Sequence, residues 1–184
     1  MRQNKQNKKV QKQLEKDSFK TIEELIKKPK RLLKGDYSVG NVILYSYDAK
    51  YHENPYDKTP LCLILGRNRK YTYGINWNWI PVPLRKGLMS MILSKKNLKN
   101  IEKGKSMEIP KRLVKLIFRM GLPAFRKYLN SRISLKGVLI PHNLYPKIIN
   151  LRAEHFTNIS ADNAWKIAIN RIKKNKTSKT KKRK

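Results

Sequence analysis

The stretch from Gly40 to Leu84, GNVILYSYDAKYHENPYDKTPLCLILGRNRKYTYGINWNWIPVPL, sets what this chain can fold into, because it holds all three apolar runs that read as strands. Val42 to Tyr47 is rich in β-branched and aromatic residues, with Tyr45 and Tyr47 on one face. Leu61 to Leu65 is a continuous apolar run between Pro60 and Gly66. A strand buried on both faces has that look, and so does a buried helical turn. Tyr71 to Trp79 alternates, with Tyr71, Tyr73, Ile75, Trp77 and Trp79 on one side and Thr72, Gly74, Asn76 and Asn78 on the other. Arg67 to Lys70 has the length of a hairpin loop. Pro81 and Pro83 stop the sheet and pre-set a helix. A small, curved antiparallel sheet over about residues 40–80 is expected.

Outside this stretch the chain reads as basic helix or basic tail. Residues 1–13 form a Gln/Asn/Lys tract expected to be disordered when unbound. Asp17 or Ser18 would cap a first helix, Thr21 and Glu24 form a possible capping box, and Phe19, Ile22, Leu25 and Ile26 share a face up to Pro29. After the sheet, Leu84, Leu88, Met91 and Ile92 make a helical stripe. Pro110 then opens a helix with Leu113, Val114, Leu116, Ile117 and Met120 inward, ended by Gly121. Pro123 is expected to open a shorter helix with Phe125, Tyr128 and Leu129 inward and Arg126 and Lys127 outward. Val138 to Ile140 reads as a short strand or an apolar connector. Ser160 caps a last helix, with Ala161, Trp165, Ala168, Ile169 and Ile172 on one face. The organisation expected is a tail at 1–13, one α+β domain at 14–172 with its helical part at 81–172, and a disordered basic tail at 173–184.

Charge narrows the function. The formal net charge is +32, and it is uneven: residues 1–57 carry 13 Lys+Arg against 8 Asp+Glu, residues 58–184 carry 31 against 4. Such a chain needs a polyanion around it, and nucleic acid is the default partner. No apolar run approaches the ~20 residues of a membrane span. The N-terminus lacks the apolar core of a secretory signal. The lone Cys62 forms no internal disulfide and reads as a small buried hydrophobe. A reducing compartment containing nucleic acid is expected.

Candidate chemistry is sparse. Asp36 with Asp48-Ala49-Lys50 resembles the carboxylate and lysine set of a metal-dependent nuclease, but surface acids pairing with nearby lysines give the same pattern. His52 with Asp57 would make a proton-transfer pair, against an exposed loop histidine. Asp57, before Lys58-Thr59-Pro60, is expected to accept backbone N–H bonds that close the turn into the second strand. His142 and His155 lack the companions of a zinc site, and no phosphate-binding glycine loop is present. The aromatics of the third strand would either stack bases or form the core face of the sheet. Lys111, Arg112, Lys115 and Arg119 line one helix face with only Glu108 nearby, which points to phosphate contact. Arg126, Lys127 and the tail residues Lys173, Lys174, Lys181, Lys182 and Arg183 extend the same footprint.

The strings Tyr45-Ser46-Tyr47-Asp48-Ala49-Lys50, Pro55-Tyr56-Asp57-Lys58-Thr59-Pro60-Leu61, Gly74-Ile75-Asn76, Ile80-Pro81 and Arg85 resemble a family of small virion proteins of tailed phages. Its pattern is Y-D-x-K, P-Y-Y-D-x-x-P-L and G-x-N-x-x-x-(I/L)-P-x-x-x-R, with two tyrosines where this chain has only Tyr56. Tyr128 to Ile133 and Ile140-Pro141 are similar to that family's second half. Its members are labelled DNA end protector proteins of T4-type phages. The resemblance, over residues 40–150, implies a non-enzymatic structural protein that binds the phosphate backbone of double-stranded DNA. It would act in head completion beside portal proteins, in the virion and in the host cytoplasm during assembly, with no cofactor, metal, membrane or small-molecule substrate. A second, looser resemblance is to the SH3-like barrels of mRNA-cleaving toxins, where Lys58 would hold a catalytic basic position. The expected fold is therefore an SH3-like sheet with flanking helices and disordered basic termini. A nuclease or endoribonuclease, or an RNA-binding or ribosome-associated protein, are the alternatives.

Overall fold

A computed structural model describes residues 22–102 and 107–181. Asp17, Ser18, Phe19 and Thr21, the N-terminal tail, and Lys182 and Arg183 lie outside the described residues. Six strands form one antiparallel sheet: β1 Lys30–Arg31, β2 Val42–Tyr47, β3 Leu61–Arg67, β4 Tyr71–Asn76, β5 Phe125–Leu129 and β6 Ile133–Ile140, in the spatial order β1-β6-β2-β3-β4-β5. The helices are α1 (22–27), α2 Val82–Ile92, α3 Lys95–Glu102, α4 Lys111–Met120, α5 Tyr145–Ile148 and α6 Ala161–Lys181. The fold is α+β, and its first three long strands lie where the apolar runs predict them.

Pleating gives the sheet two faces. Val42, Leu44, Leu61, Leu63 and Ile75 point to the helical side, where they join Leu88, Met89, Ile92, Leu113, Ile117, Ala164 and Ala168 in one core. Ile22, with the partly buried Leu25 and Ile26, closes that core from α1. Ile43, Tyr45, Cys62, Ile64, Tyr128 and Ile133 form a second cluster on the opposite face. Tyr128 meets Tyr45 and Tyr47 edge-on, with ring centroids 5.6 and 4.8 Å away. Burial pushes the Cys62 thiol up to about 12, so Cys62 is a packing residue and not a nucleophile. Gly74 lets β3 and β4 close together, since a Cβ there would sit 2.2 Å from Cys62 Sγ.

Several expectations are corrected. The segment after Pro123 is β5, not a helix: five residues with alternating faces complete the open edge of β4, pairing Tyr73 with Lys127 and Gly74 with Arg126. Arg126 therefore turns to the Tyr128 side. Val138–Ile140 is the end of an eight-residue strand that pairs on both sides, with β1 and with β2. The helical part 81–172 thus contributes two strands, and the basic linker after Pro29 contributes the edge strand β1. Trp77–Trp79 leaves the sheet in a 3-10 turn, because Asn76 caps it by accepting a bond from Asn78 N–H at 3.0 Å. Leu116 is exposed, since α4 buries only Leu113 and Ile117. Gly121, at φ 66°, ends α4 as expected. Ser160 Oγ accepts from Asn163 N–H at 3.3 Å at the start of α6. That helix runs to Lys181, so residues 173–181, expected as disordered tail, are helical. Lysine is a good helix former, and cations near a helix C-terminus complement its dipole.

Candidate nucleic-acid interface

On α4, Lys111, Arg112, Lys115 and Arg119 are exposed opposite the buried Leu113 and Ile117. Lys111 and Arg112 lie in the first turn, where the helix dipole is already positive and no acid offsets it. Lys111, Arg112 and Lys115 have no carboxylate partner among the described residues; Glu108, the nearest acid in sequence, is held by Lys96 at 2.8 Å. Phe118 stands in the same face, 66% exposed, and stacks on Phe125 of β5 with centroids 4.3 Å apart. Two residues along that strand, Lys127 Nζ lies 3.8 Å from the Tyr71 ring and 5.9 Å from Tyr73. The helix face and the β4–β5 edge are thereby one basic and aromatic surface.

At the far side of that edge, a cleft of about 510 Å³ opens between β5 and the loop that joins β2 to β3. Its cations are Lys50, Lys70, Arg126 and Lys127, and its rings include Tyr51, Tyr71 and Trp79. Each cation sits on a ring: Arg126 lies 4.2 Å from Trp79, Lys70 5.4 Å from Tyr71 and Lys50 5.1 Å from Tyr51. Burial raises Tyr47 and, much more, Tyr128, so the phenols at its base stay neutral at physiological pH. The one carboxylate on the wall is Asp57, and it is used up. Oδ1 accepts Thr59 N–H at 3.1 Å and His155 N–H at 3.0 Å; Oδ2 accepts Asn76 Nδ2 at 2.9 Å and Asn78 Nδ2 at 2.7 Å. The expected turn closure is present, and three further donors join it.

Asp48 and His52, not His52 and Asp57, form the pair in this loop, 3.5 Å apart, and Arg132 holds Asp48 from the other side at 3.1 Å. Asp36 accepts from Leu33 N–H at 2.7 Å. Asp36 lies in the 3-10 turn Lys34–Tyr37 before β2 and Asp48 directly follows that strand, each with its own partners. No group of three metal-binding side chains occurs among the described residues. A second groove, about 590 Å³, is lined by Lys58, Arg132, His155 and Asp48, together with Tyr47, Tyr56, Ser131 and Ser134. Among the described residues the side chains of Lys58 and His155 have no hydrogen-bond or ion-pair partner.

The structure thus brings Arg126 and Lys127 together with Lys50 and Lys70, and places the α4 cations on the adjoining surface. Lys173 is exposed on α6; Lys174 and Lys181 lie in the backbone of the same helix. Among the aromatics of the third apolar run, Trp77 and Trp79 are core, whereas Tyr71 and Tyr73 are half-buried beneath Lys127. The core-face alternative holds for the second half of the run, and Tyr71 and Tyr73 keep exposed ring surface. No protein-family model, no curated protein and no solved structure matches this chain. Among the described residues no helix is long and apolar enough to cross a membrane.

Proposed function

We propose that this chain is a non-enzymatic DNA-binding structural protein of a tailed phage, gripping the duplex backbone and acting in head completion at the packaged DNA end near the portal. The observation that carries DNA binding is the four-cation outer face of α4, on a chain of net charge +32. That face, the Arg126–Lys127 strand and the basic C-terminal helix supply the phosphate contacts. The phage reading rests on the motif resemblance, and its support is that the separated motifs meet in space. Asp57 holds Asn76, Arg85 holds the Ile80 carbonyl at 2.8 Å, Arg132 holds Asp48, and Tyr128 packs on Tyr45. Such a protein would be found in the virion, and in host cytoplasm during assembly.

The finer fold belongs with this reading. Strands β2 to β5 form a meander, a single 3-10 turn at Asn130–Arg132 follows, and β6 returns to pair with β2. We read that as an open SH3-like barrel with α2, α3 and α4 inserted before its fourth strand.

Binding should be electrostatic. Neutralising ~8 phosphates predicts a log–log salt slope of roughly −7 on duplex DNA, measured by fluorescence anisotropy. A slope shallower than about −3 would remove phosphate contact as the main term. Protection of linear ends from exonuclease, compared with protection of closed circles from nicking, reads the preference for ends. Mass spectrometry of purified virions reads the location.

A second reading, metal-independent RNA cleavage, is favoured by one observation: the groove that holds Lys58, Arg132 and His155 without partners for two of them. Its chemistry is a proton shuttle at His155 and charge neutralisation at the phosphate by Lys58 and Arg132. Intact RNA after long incubation in chelator is the expected result. Cleavage that disappears in both Lys58→Ala and His155→Ala would replace the structural reading with this one.

A further inference from the structure

Resting on the DNA-binding reading, we propose that the cleft between the β2–β3 loop and β5 takes one unpaired nucleotide of a DNA strand. The base lies against Tyr51 and Tyr71, and the phosphate lies on the surrounding lysines. Size is the first ground. A cavity of about 510 Å³ is of ligand dimensions and far larger than a phosphate ion needs, and no duplex enters it.

Charge is the second ground. Lys70 and Lys127 both place their ammonium groups on the one Tyr71 ring, at 5.4 and 3.8 Å. Two like charges drawn to one ring repel each other, and a phosphate between them removes that repulsion. Neither these lysines nor Lys50 has a carboxylate partner among the described residues. The one acid that lines the cleft, Asp57, has both oxygens committed to four N–H donors.

The rings are the third ground. Tyr51 is 59% exposed with no core to serve, and Tyr71 is half-buried. Their faces are the apolar surface on which a base stacks, whatever its identity. Cations already seated on those faces would move only a few ångströms, from ring to phosphate, as the base arrives. The cleft is therefore suited to an unstacked base and its own phosphate, which a strand end or overhang offers and an intact duplex interior does not.

The test uses the full-length protein and four probes: a blunt hairpin duplex, the same hairpin with a three-nucleotide single-stranded DNA overhang, the same hairpin with an RNA overhang, and dAMP alone. Stacking of one base predicts that the overhang binds roughly 10- to 100-fold tighter than the blunt end. Tyr51→Ala, and the double variant Lys50→Gln/Lys70→Gln, should bring the overhang down to the blunt level with the blunt affinity within about twofold, since neither variant touches α4. In NMR titration, dAMP should shift amides of residues 50–57 and 126–129. Equal wild-type affinity for overhang and blunt end overturns the proposal, as does an equal loss on both probes in the variants. An RNA overhang binding tenfold tighter than the DNA one overturns the assignment to DNA. Loss of blunt-duplex binding with the overhang preference intact would sink the duplex-grip reading and leave the cleft standing.

Discussion

Asp57→Ala should unfold this protein more readily than any other single carboxylate change, by ~4 kcal/mol. The side chain is 2% exposed and accepts four N–H bonds from three separate parts of the chain. Hydrogen bonds to a charged acceptor contribute about 1.5–3 kcal/mol each, and their losses are not additive because the donors relax together. What remains after truncation is two buried asparagine amides and two backbone N–H groups facing a void. Asn78 in turn positions α6, because its carbonyl accepts from Trp165 Nε1 at 2.8 Å. A melting temperature lower by roughly 10–15 °C is expected for a chain of this size. Asp57→Asn should lose nearly as much, since it turns an amide toward two amides. An unchanged melting temperature in both variants would show that the carboxylate is not the tie between loop, β4 and the 153–157 segment.

Arg85→Ala is the second large effect, at ~3 kcal/mol or more. Arg85 is fully buried, and its Nε and Nη1 donate to the carbonyls of Ile80 and Leu151, both at 2.8 Å. It joins the end of the 3-10 turn to the segment after α5, and the ring of Trp165 lies 5.5 Å away. Removal orphans two buried carbonyls and opens a cavity. Arg85→Lys should recover only a minor part, because one ammonium nitrogen does not stand where the separate Nε and Nη1 of the planar guanidinium meet the two carbonyls. Burial lowers the pKa of Arg85 to about 10, still above neutral, so its contribution should not change with pH below about 9. Chemical denaturation at pH 6 and 8 checks both points. An Arg85→Met protein as stable as wild type would mean that the guanidinium's desolvation cancels its bonds.

Elements with local signals were legible. Val42–Tyr47 and Leu61–Leu65 are strands by composition, Pro110 and Gly121 bracket α4, and Ser160 marks the start of α6. Elements fixed by distant partners were harder. Phe125–Leu129 is too short for its period to separate helix from strand, and what decides is the unpaired edge of β4, some fifty residues earlier in the chain. Arg85 left a trace: it falls on the apolar stripe of α2, one turn before Leu88 and Met89. A cation on such a stripe implies carbonyls waiting for it. The cleft left almost none. Lys50, Lys70 and Lys127 come from three segments: the pairing of β4 with β5 joins the last two, and the fold of the β2–β3 loop adds the first.

The position of β6 has a consequence for how this chain is made. It lies between β1 and β2, yet it is the last strand to be synthesised, 86 residues after β2 ends. At ribosomal rates of about 5–20 residues per second, β2 waits roughly 4–17 s for its neighbour. Throughout that time Val42–Tyr47, carrying Ile43, Leu44 and Tyr45, is an open apolar edge, the kind of surface on which nascent chains aggregate. Long-range antiparallel closure of this sort also slows folding after release. A nascent chain halted before Ile133 therefore has the β2–β3–β4–β5 meander but lacks the strand that covers the β2 edge and ties β1 to the sheet.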